Sequence, residues 1–279
     1  MISLLLVSAD PAVVGKVEEL AAACHTRLRS VASLNTAKEW LTMQAFDALV
    51  VDSRYGGLLP IELLSLAWTH HPLLVGTVLD TERRYNENVS ATAIGAHVFS
   101  GTTAYDQLTK LLQELPESIT LGENSRYAIL VVEDVDSPRD IIQAYVESLG
   151  YSRVDAAAGG EEALGILHQE PDAYFCVITD INMPGMNGIE LTRRIRKDAD
   201  RDISSLPVLM LTSVPTTENF VECLRAGSSG FLVKPPKKIV LRKELERAKR
   251  IIISRRSPRL CREEDAHLVE ASLRKLGIG

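Results

Sequence analysis

The sequence has no long apolar run. The stretch ISLLLV that follows Met1 is six residues without a basic flank, too short for a signal-peptide core or a membrane span, and is read as a first strand. Cysteines are few and scattered. Cys24, Cys176, Cys223 and Cys261 form no CxxC pair and no zinc-like spacing, which excludes a disulfide framework and points to reduced thiols in the cytoplasm. Positive charge is not in excess either: the formal net charge is −6, which argues against nucleic acid as a whole-surface partner. What remains is 46% hydrophobic and 24% charged, the balance of a globular protein, and 279 residues suffice for two domains that each bury a core.

Short apolar runs alternate with segments of helical period. SLLLV (3–7), FDALVVD (46–52) and PLLVGTVL (72–79) read as strands, and PAVVGKVEELAAAC and TAYDQLTKLLQEL read as amphipathic helices. The succession then begins again with AILVVEDVD (128–136), YFCVITD (174–180), LPVLMLTS (206–213) and GFLVKPP (230–236). Val7 corresponds to Val132, Asp52 to Asp180 and Thr77 to Thr212, a domain-sized repeat. Two α/β domains with parallel sheets follow, spanning 1–116 and 127–256, joined by a polar linker at 117–126 and trailed by a short helical tail at 257–279.

Polar residues stand where the strands of the second half stop. Glu133 and Asp134 end the first, Asp180 the third, Thr212 and Ser213 the fourth, and Lys234 with Pro235 the fifth. In a doubly wound sheet these ends share one edge. Three carboxylates there repel unless a cation joins them, and oxygen ligands with open positions suit Mg²⁺, with Asn182 adding its backbone carbonyl. Asp180 is then a nucleophile towards a phosphoryl group, Lys234 pairs with that group, and the Thr212 hydroxyl donates to it. A competing reading makes Asp180 the cap of the next helix.

The ordered set LVVEDVD, DINMPGMNG, LMLTS and FLVKPP resembles the receiver domain of bacterial two-component response regulators. The resemblance implies two flavodoxin-like (βα)5 domains, each a five-stranded parallel sheet with helices on both faces. It implies Asp180 as phosphoacceptor, Glu133, Asp134, Asp180 and Asn182 around Mg²⁺, Thr212 and Lys234 on the phosphoryl, and a cis bond before Pro235. Phe231 matches the aromatic that moves with Thr212 on activation; the lesser alternative is a core phenylalanine of the fifth strand. The implied partners are a sensor histidine kinase or a histidine phosphotransfer protein, a downstream protein target and a second copy of the chain. No enzymatic role and no membrane insertion are implied. Two other readings compete: the regulatory module of a longer effector such as a diguanylate cyclase, and a Mg²⁺-dependent aspartyl-phosphate phosphatase. Asn182 counts against the phosphatase, which needs an acid there.

The first half resembles the same fold with a degenerate site. Asp52 ends its strand and Thr77 stands for Thr212, but Ser8 and Ala9 replace the acidic pair, Asp10 is displaced, and no lysine occurs between Lys38 and Lys110. The expectation is a pseudo-receiver that keeps the fold as a binding surface, because phosphoryl transfer needs that charge. Eleven Lys or Arg against Glu244 and Glu246 between Lys234 and Arg259 mark a basic last helix, with Ile239, Val240, Leu245, Ala248, Ile251 and Ile252 expected to supply its apolar face; the readings, in order, are a solvated face, a dock for an acidic protein, and nucleic acid last.

Overall fold

The fold is that of a computed structural model, which describes residues 1–83, 85–115, 128–213 and 216–254, with the side chains at 93, 217 and 218 left aside. The expected linker at 117–126, the tail at 257–279 and Cys261 lie outside the described residues. The chain divides into two compact units, Met1–Ile119 and Thr120–Gly279. They are called domain 1 and domain 2 below.

Domain 1 runs β1 (Ser3–Val7), α1 (Pro11–Ala23), β2 (Arg27–Val31), α2 (Leu34–Met43), β3 (Ala48–Asp52), a 3₁₀ turn (Ser53–Tyr55), α3 (Leu59–His70), β4 (Val75–Asp80), α4 (Asn88–Ala93), β5 (His97–Ser100), a second 3₁₀ turn (Gly101–Thr103) and α5 (Ala104–Glu114). Domain 2 repeats the pattern: β6 (Ala128–Val132), α6 (Asp136–Glu147), β7 (Val154–Ala157), α7 (Gly160–Gln169), β8 (Tyr174–Asp180), α8 (Gly188–Lys197), the short α9 (Arg201–Ser204), β9 (Val208–Thr212), α10 (Thr217–Ala226), β10 (Gly230–Val233) and α11 (Lys238–Ile253). Both sheets have five strands, in orders β2-β1-β3-β4-β5 and β7-β6-β8-β9-β10, and every pairing is parallel. The order reverses beside β1 and β6, which puts a crevice at the carboxyl ends of β1 with β3 and of β6 with β8.

Side-chain alternation covers both faces of the second sheet. Leu130, Val132, Val177 and Val208 pack with Ala163 and Leu167 of α7 and Leu191 and Ile195 of α8. Ile129, Val131, Ile178 and Leu209 point the other way, onto Ile142 and Val146 of α6 and Leu241, Leu245 and Ala248 of α11. In domain 1, Leu5, Val7, Leu49 and Val51 meet α2 and α3, while α1 and α5 bury Val13, Val17, Leu108 and Leu111 outside that cluster. Two covered faces explain why the central strands are apolar runs without polar alternation.

The basic helix turns differently from the expectation. Leu241, Leu245, Ala248 and Ile251 make its buried stripe, and Ile239 and Val240 are exposed, because only residues three and four apart share a helix face. His71 is half-buried, with Nε2 at 2.6 Å from the carbonyl of Leu41. At the amino end of the second sheet, Arg196 of α8 donates from Nε to the Gly227 carbonyl (2.9 Å) and from Nη1 to the carbonyls of Leu206 (2.7 Å) and Ser204 (3.3 Å).

Two helical glycines of domain 2 have opposite surroundings. A Cβ on Gly188 would meet the Asp180 carbonyl oxygen at 2.0 Å, whereas one on Gly165 meets nothing within 4 Å. Gly188→Ala is expected to destabilise domain 2 by about 2 kcal/mol or more through backbone displacement. Gly165→Ala is expected to stabilise it by roughly 0.5–1 kcal/mol. Urea unfolding of the two variants checks both signs.

Candidate functional site

Each site residue of domain 2 sits where an apolar strand runs out. Val132 ends β6, and Glu133, buried at 1% exposure, and half-buried Asp134 follow it. Arg139 of α6 fixes this corner by donating from Nη1 to the Glu133 carbonyl at 2.7 Å. Asp180 is the last residue of β8, 5% exposed, in register beside Leu211. It is not a helix cap: Asn187 caps α8, its Oδ1 accepting from the Glu190 N–H at 2.9 Å. Between them Pro184 and Gly185 make the exposed turn, Gly185 with φ +69°, a conformation glycine adopts freely.

Thr212 ends β9, is nearly buried, and its carbonyl accepts from the Lys234 N–H at 2.8 Å. The Lys234–Pro235 bond is cis. The Lys234 ammonium lies 2.5 Å from Glu133 Oε2 and 2.9 Å from Asp180 Oδ2. Burial opposes its charge, but the hydrogen bonds to Glu133 and Asp180 outweigh this and hold Lys234 above the ordinary lysine range. Phe231 is half-buried, pairs in register with Met210, and its ring lies 4.3 Å from that of Phe220.

One oxygen from each of Glu133, Asp134 and Asp180 lies within 4.8 Å of the others, the one such cluster among the described residues. Asp180 Oδ1 is buried and has no hydrogen-bond partner. A buried carboxylate oxygen left unpaired is costly, and an all-oxygen donor set with an unused lone pair fits a hard dication such as Mg²⁺. Asn182 is exposed just past the strand.

The response regulator receiver domain family matches residues 129–246. The chemotaxis protein CheY-3 of Vibrio cholerae is 38% identical over 124 residues, 44% of this chain and 92% of that protein. The chain belongs to the response regulator receiver family. The chemotaxis protein CheY of Pseudomonas aeruginosa is likewise 38% identical, over 119 residues, 43% of this chain and 93% of that one. Among solved structures, the receiver domain of a Pseudomonas aeruginosa sensor histidine kinase with a magnesium ion in its cleft is 31% identical; the likeness covers 45% of this chain and 98% of that one at a TM-score of 0.41. Domain 2 is thus a receiver domain of two-component signalling.

Domain 1 has the receiver strand order but different chemistry at the strand ends. Asp52 ends β3, is 3% exposed, and has both oxygens partnered: Ser8 Oγ donates to Oδ2 at 2.6 Å and the Arg54 N–H donates to Oδ1 at 3.0 Å. Here the aspartate does cap a turn, the 3₁₀ segment that follows. Ser8 and Ala9 follow β1 as Glu133 and Asp134 follow β6.

The alignment of Thr77 with Thr212 is overturned by the strand register. Asp52 lies beside Leu79 and Asp180 beside Leu211, so the residue that matches Thr212 is Asp80. Thr77 sits three residues earlier, opposite Val50, with its hydroxyl buried and unpartnered. Asp80 is 0% exposed and accepts from Ser53 Oγ (3.1 Å), the Tyr85 N–H (3.2 Å) and Ser100 Oγ (3.3 Å). Asp80 pairs with Ser100 as Thr212 pairs with Val233, so Gly101 takes the place of Lys234. A Cβ there would meet Arg83 Nε at 2.2 Å, so a guanidinium from the preceding loop lies against the lysine-less position. The sequence reading missed Arg54, Asp80 and Arg83; counting from strand ends, not from matching threonines, would have found Asp80.

Lys234→Met leaves Glu133 and Asp180 facing each other, and is expected to cost domain 2 about 3 kcal/mol. Because folding raises the Lys234 pKa, the wild-type pair contributes fully below the ordinary lysine value and loses its contribution as pH rises through the raised one. Urea unfolding from neutral to strongly alkaline pH should show that alkaline loss in the wild type and not in the variant.

Proposed function

We propose that domain 2 is the phosphoacceptor of a two-component relay, taking a phosphoryl group on Asp180 from a histidine kinase or histidine phosphotransfer protein. The observation that supports this most is the convergence at one sheet edge of Glu133, Asp134 and Asp180 with Lys234 at 2.9 Å from the acceptor.

In this reading an Asp180 carboxylate oxygen attacks phosphorus, the donor's P–N bond breaks, its electrons return to the imidazole, and an acyl phosphate remains on Asp180. Glu133, Asp134, Asp180 and the Asn182 carbonyl would hold Mg²⁺, which when bound supplies neutralisation of the charge that gathers on the phosphoryl oxygens. Lys234 orients Asp180 before transfer and pairs with the added group after it. The phosphoryl adds roughly −1.5 to −2 charges and three acceptor oxygens. Thr212, beside Asp180 on the neighbouring strand, donates its hydroxyl to one of them, and Phe231 repacks against Phe220 as β9 and α10 adjust. Asn182 supplies no acid for hydrolysis, so the acyl phosphate persists as a signal and the protein is a switch, not a turnover enzyme. Output passes to a downstream protein by changed association, with domain 1 as a binding surface, in a cytoplasmic setting.

Intact mass after incubation with Mg²⁺ and a small phosphodonor tests the reading. One added phosphoryl is expected in the wild type and in Asp52→Ala, and none in Asp180→Ala. A phosphoryl that survives Asp180→Ala, or a second one in the wild type, refutes the assignment.

A further inference from the structure

The strand-end acids of domain 1 have a cation of their own. Arg54 stands two residues after Asp52, as Asn182 stands two after Asp180. Its Nη1 pairs with Asp10 Oδ2, and its Nε lies 3.5 Å from Asp52 Oδ1 and 3.8 Å from Glu82 Oε1. Asp10 is the N-cap of α1, with Oδ1 accepting from the Ala12 N–H at 2.7 Å, so its position is fixed by the helix. Its free oxygen is the one that meets the guanidinium. Nearly buried Asp52 cannot stay charged without compensation, and a guanidinium that reaches three acids from three segments of the chain supplies it.

The two acceptor-position aspartates therefore differ in one telling respect. Asp180 has a buried oxygen with no partner, whereas both oxygens of Asp52 accept hydrogen bonds, from Ser8 Oγ and from the Arg54 main-chain N–H, with the Arg54 Nε 3.5 Å from Oδ1 as the nearby positive charge. The buried carboxylate of Asp80 occupies the place of the Thr212 hydroxyl, and a phosphoryl dianion arriving there would meet a like charge.

We propose that Arg54 is the resident cation of domain 1, standing beside Asp10 and Asp52 in the role a divalent ion has beside Asp134 and Asp180. Domain 1 thereby keeps its acidic edge neutral without metal, and the chain takes up one divalent ion, not two. The comparison rests on the reading of domain 2 as a metal site. Two carboxylates suffice to hold a hydrated dication, so removing the guanidinium should open in domain 1 the position it fills.

Mn²⁺ titration of the full chain, with the free ion followed by electron paramagnetic resonance, counts the sites. One ion is expected in the wild type and none in Glu133→Gln/Asp134→Asn. In that double-variant background Arg54→Ala is expected to restore one ion, while Arg54→Lys, which keeps the charge, restores none. Trp40 and Trp68, the two tryptophans of the chain, both lie in domain 1, so quenching of their emission by Mn²⁺ locates the restored ion there and reports whether the domain is folded. Two ions in the wild type, one ion remaining in Glu133→Gln/Asp134→Asn, or no ion with Arg54→Ala would each overturn the proposal. An Arg54→Ala domain that unfolds and regains its native tryptophan emission with Mn²⁺ supports it; one that Mn²⁺ does not refold counts against it. A wild type that binds no ion refutes the metal reading of domain 2 instead, and the Arg54 arms still decide the question for domain 1.

Discussion

A carboxylate at the end of the third strand of a doubly wound sheet is placed where water is scarce and other strand ends crowd in. Its charge has to be answered by a cation from elsewhere in the chain or from solution. In domain 2 the protein's own answer is Lys234, reaching Asp180 and Glu133 from the end of the fifth strand. It satisfies one Asp180 oxygen and leaves the other without a partner. In domain 1 the charge comes from two residues along the chain, through the Arg54 guanidinium, while Ser8 Oγ and the Arg54 main-chain N–H leave no oxygen of Asp52 without a hydrogen bond. One scaffold thus presents an open acid cluster and a closed one, and the difference lies in where the positive charge is rooted.

The scaffold permits this because strand ends are set by packing that the site does not touch. Each sheet is covered on both faces, so the strands are held by apolar contacts along their length and only the residues beyond those contacts are free to vary. β3 and β8 deliver an aspartate to the same register position with different sequences around it. Site chemistry can then change by single residues, as at Ser8 against Glu133 or Gly101 against Lys234, without disturbing the core.

Much of this was legible in the sequence. Apolar runs that stop at Glu133, Asp180, Thr212 and Lys234 carry the parallel sheet and the composition of its carboxyl edge, because burial on both faces leaves no charged residue until the strand ends. The domain 1 site was legible only in part. Asp52 is visible by the same logic, but Thr77 is a buried residue inside β4 that resembles Thr212 by type and not by position, and three residues of register separate them. Arg54 escaped notice because a cation that replaces a metal has no motif; its meaning lies in Asp10 and Glu82, brought to it by the fold from far along the chain. The stripe of α11 misled for a related reason, since Ile239 and Val240 are apolar but fall off the face that Leu241 and Leu245 define.

Arg196 carries a consequence for how domain 2 can deform. Its guanidinium binds carbonyls that close the end of α10, the end of α9 and the entry to β9, and Ser229, which accepts from its Nη2 at 3.4 Å, also accepts from the Val208 N–H at 3.0 Å. Four segments are riveted at the pole opposite Asp180. Any rearrangement begun at the acidic edge therefore has a fixed fulcrum, and motion of α10 becomes a swing about its carboxyl end.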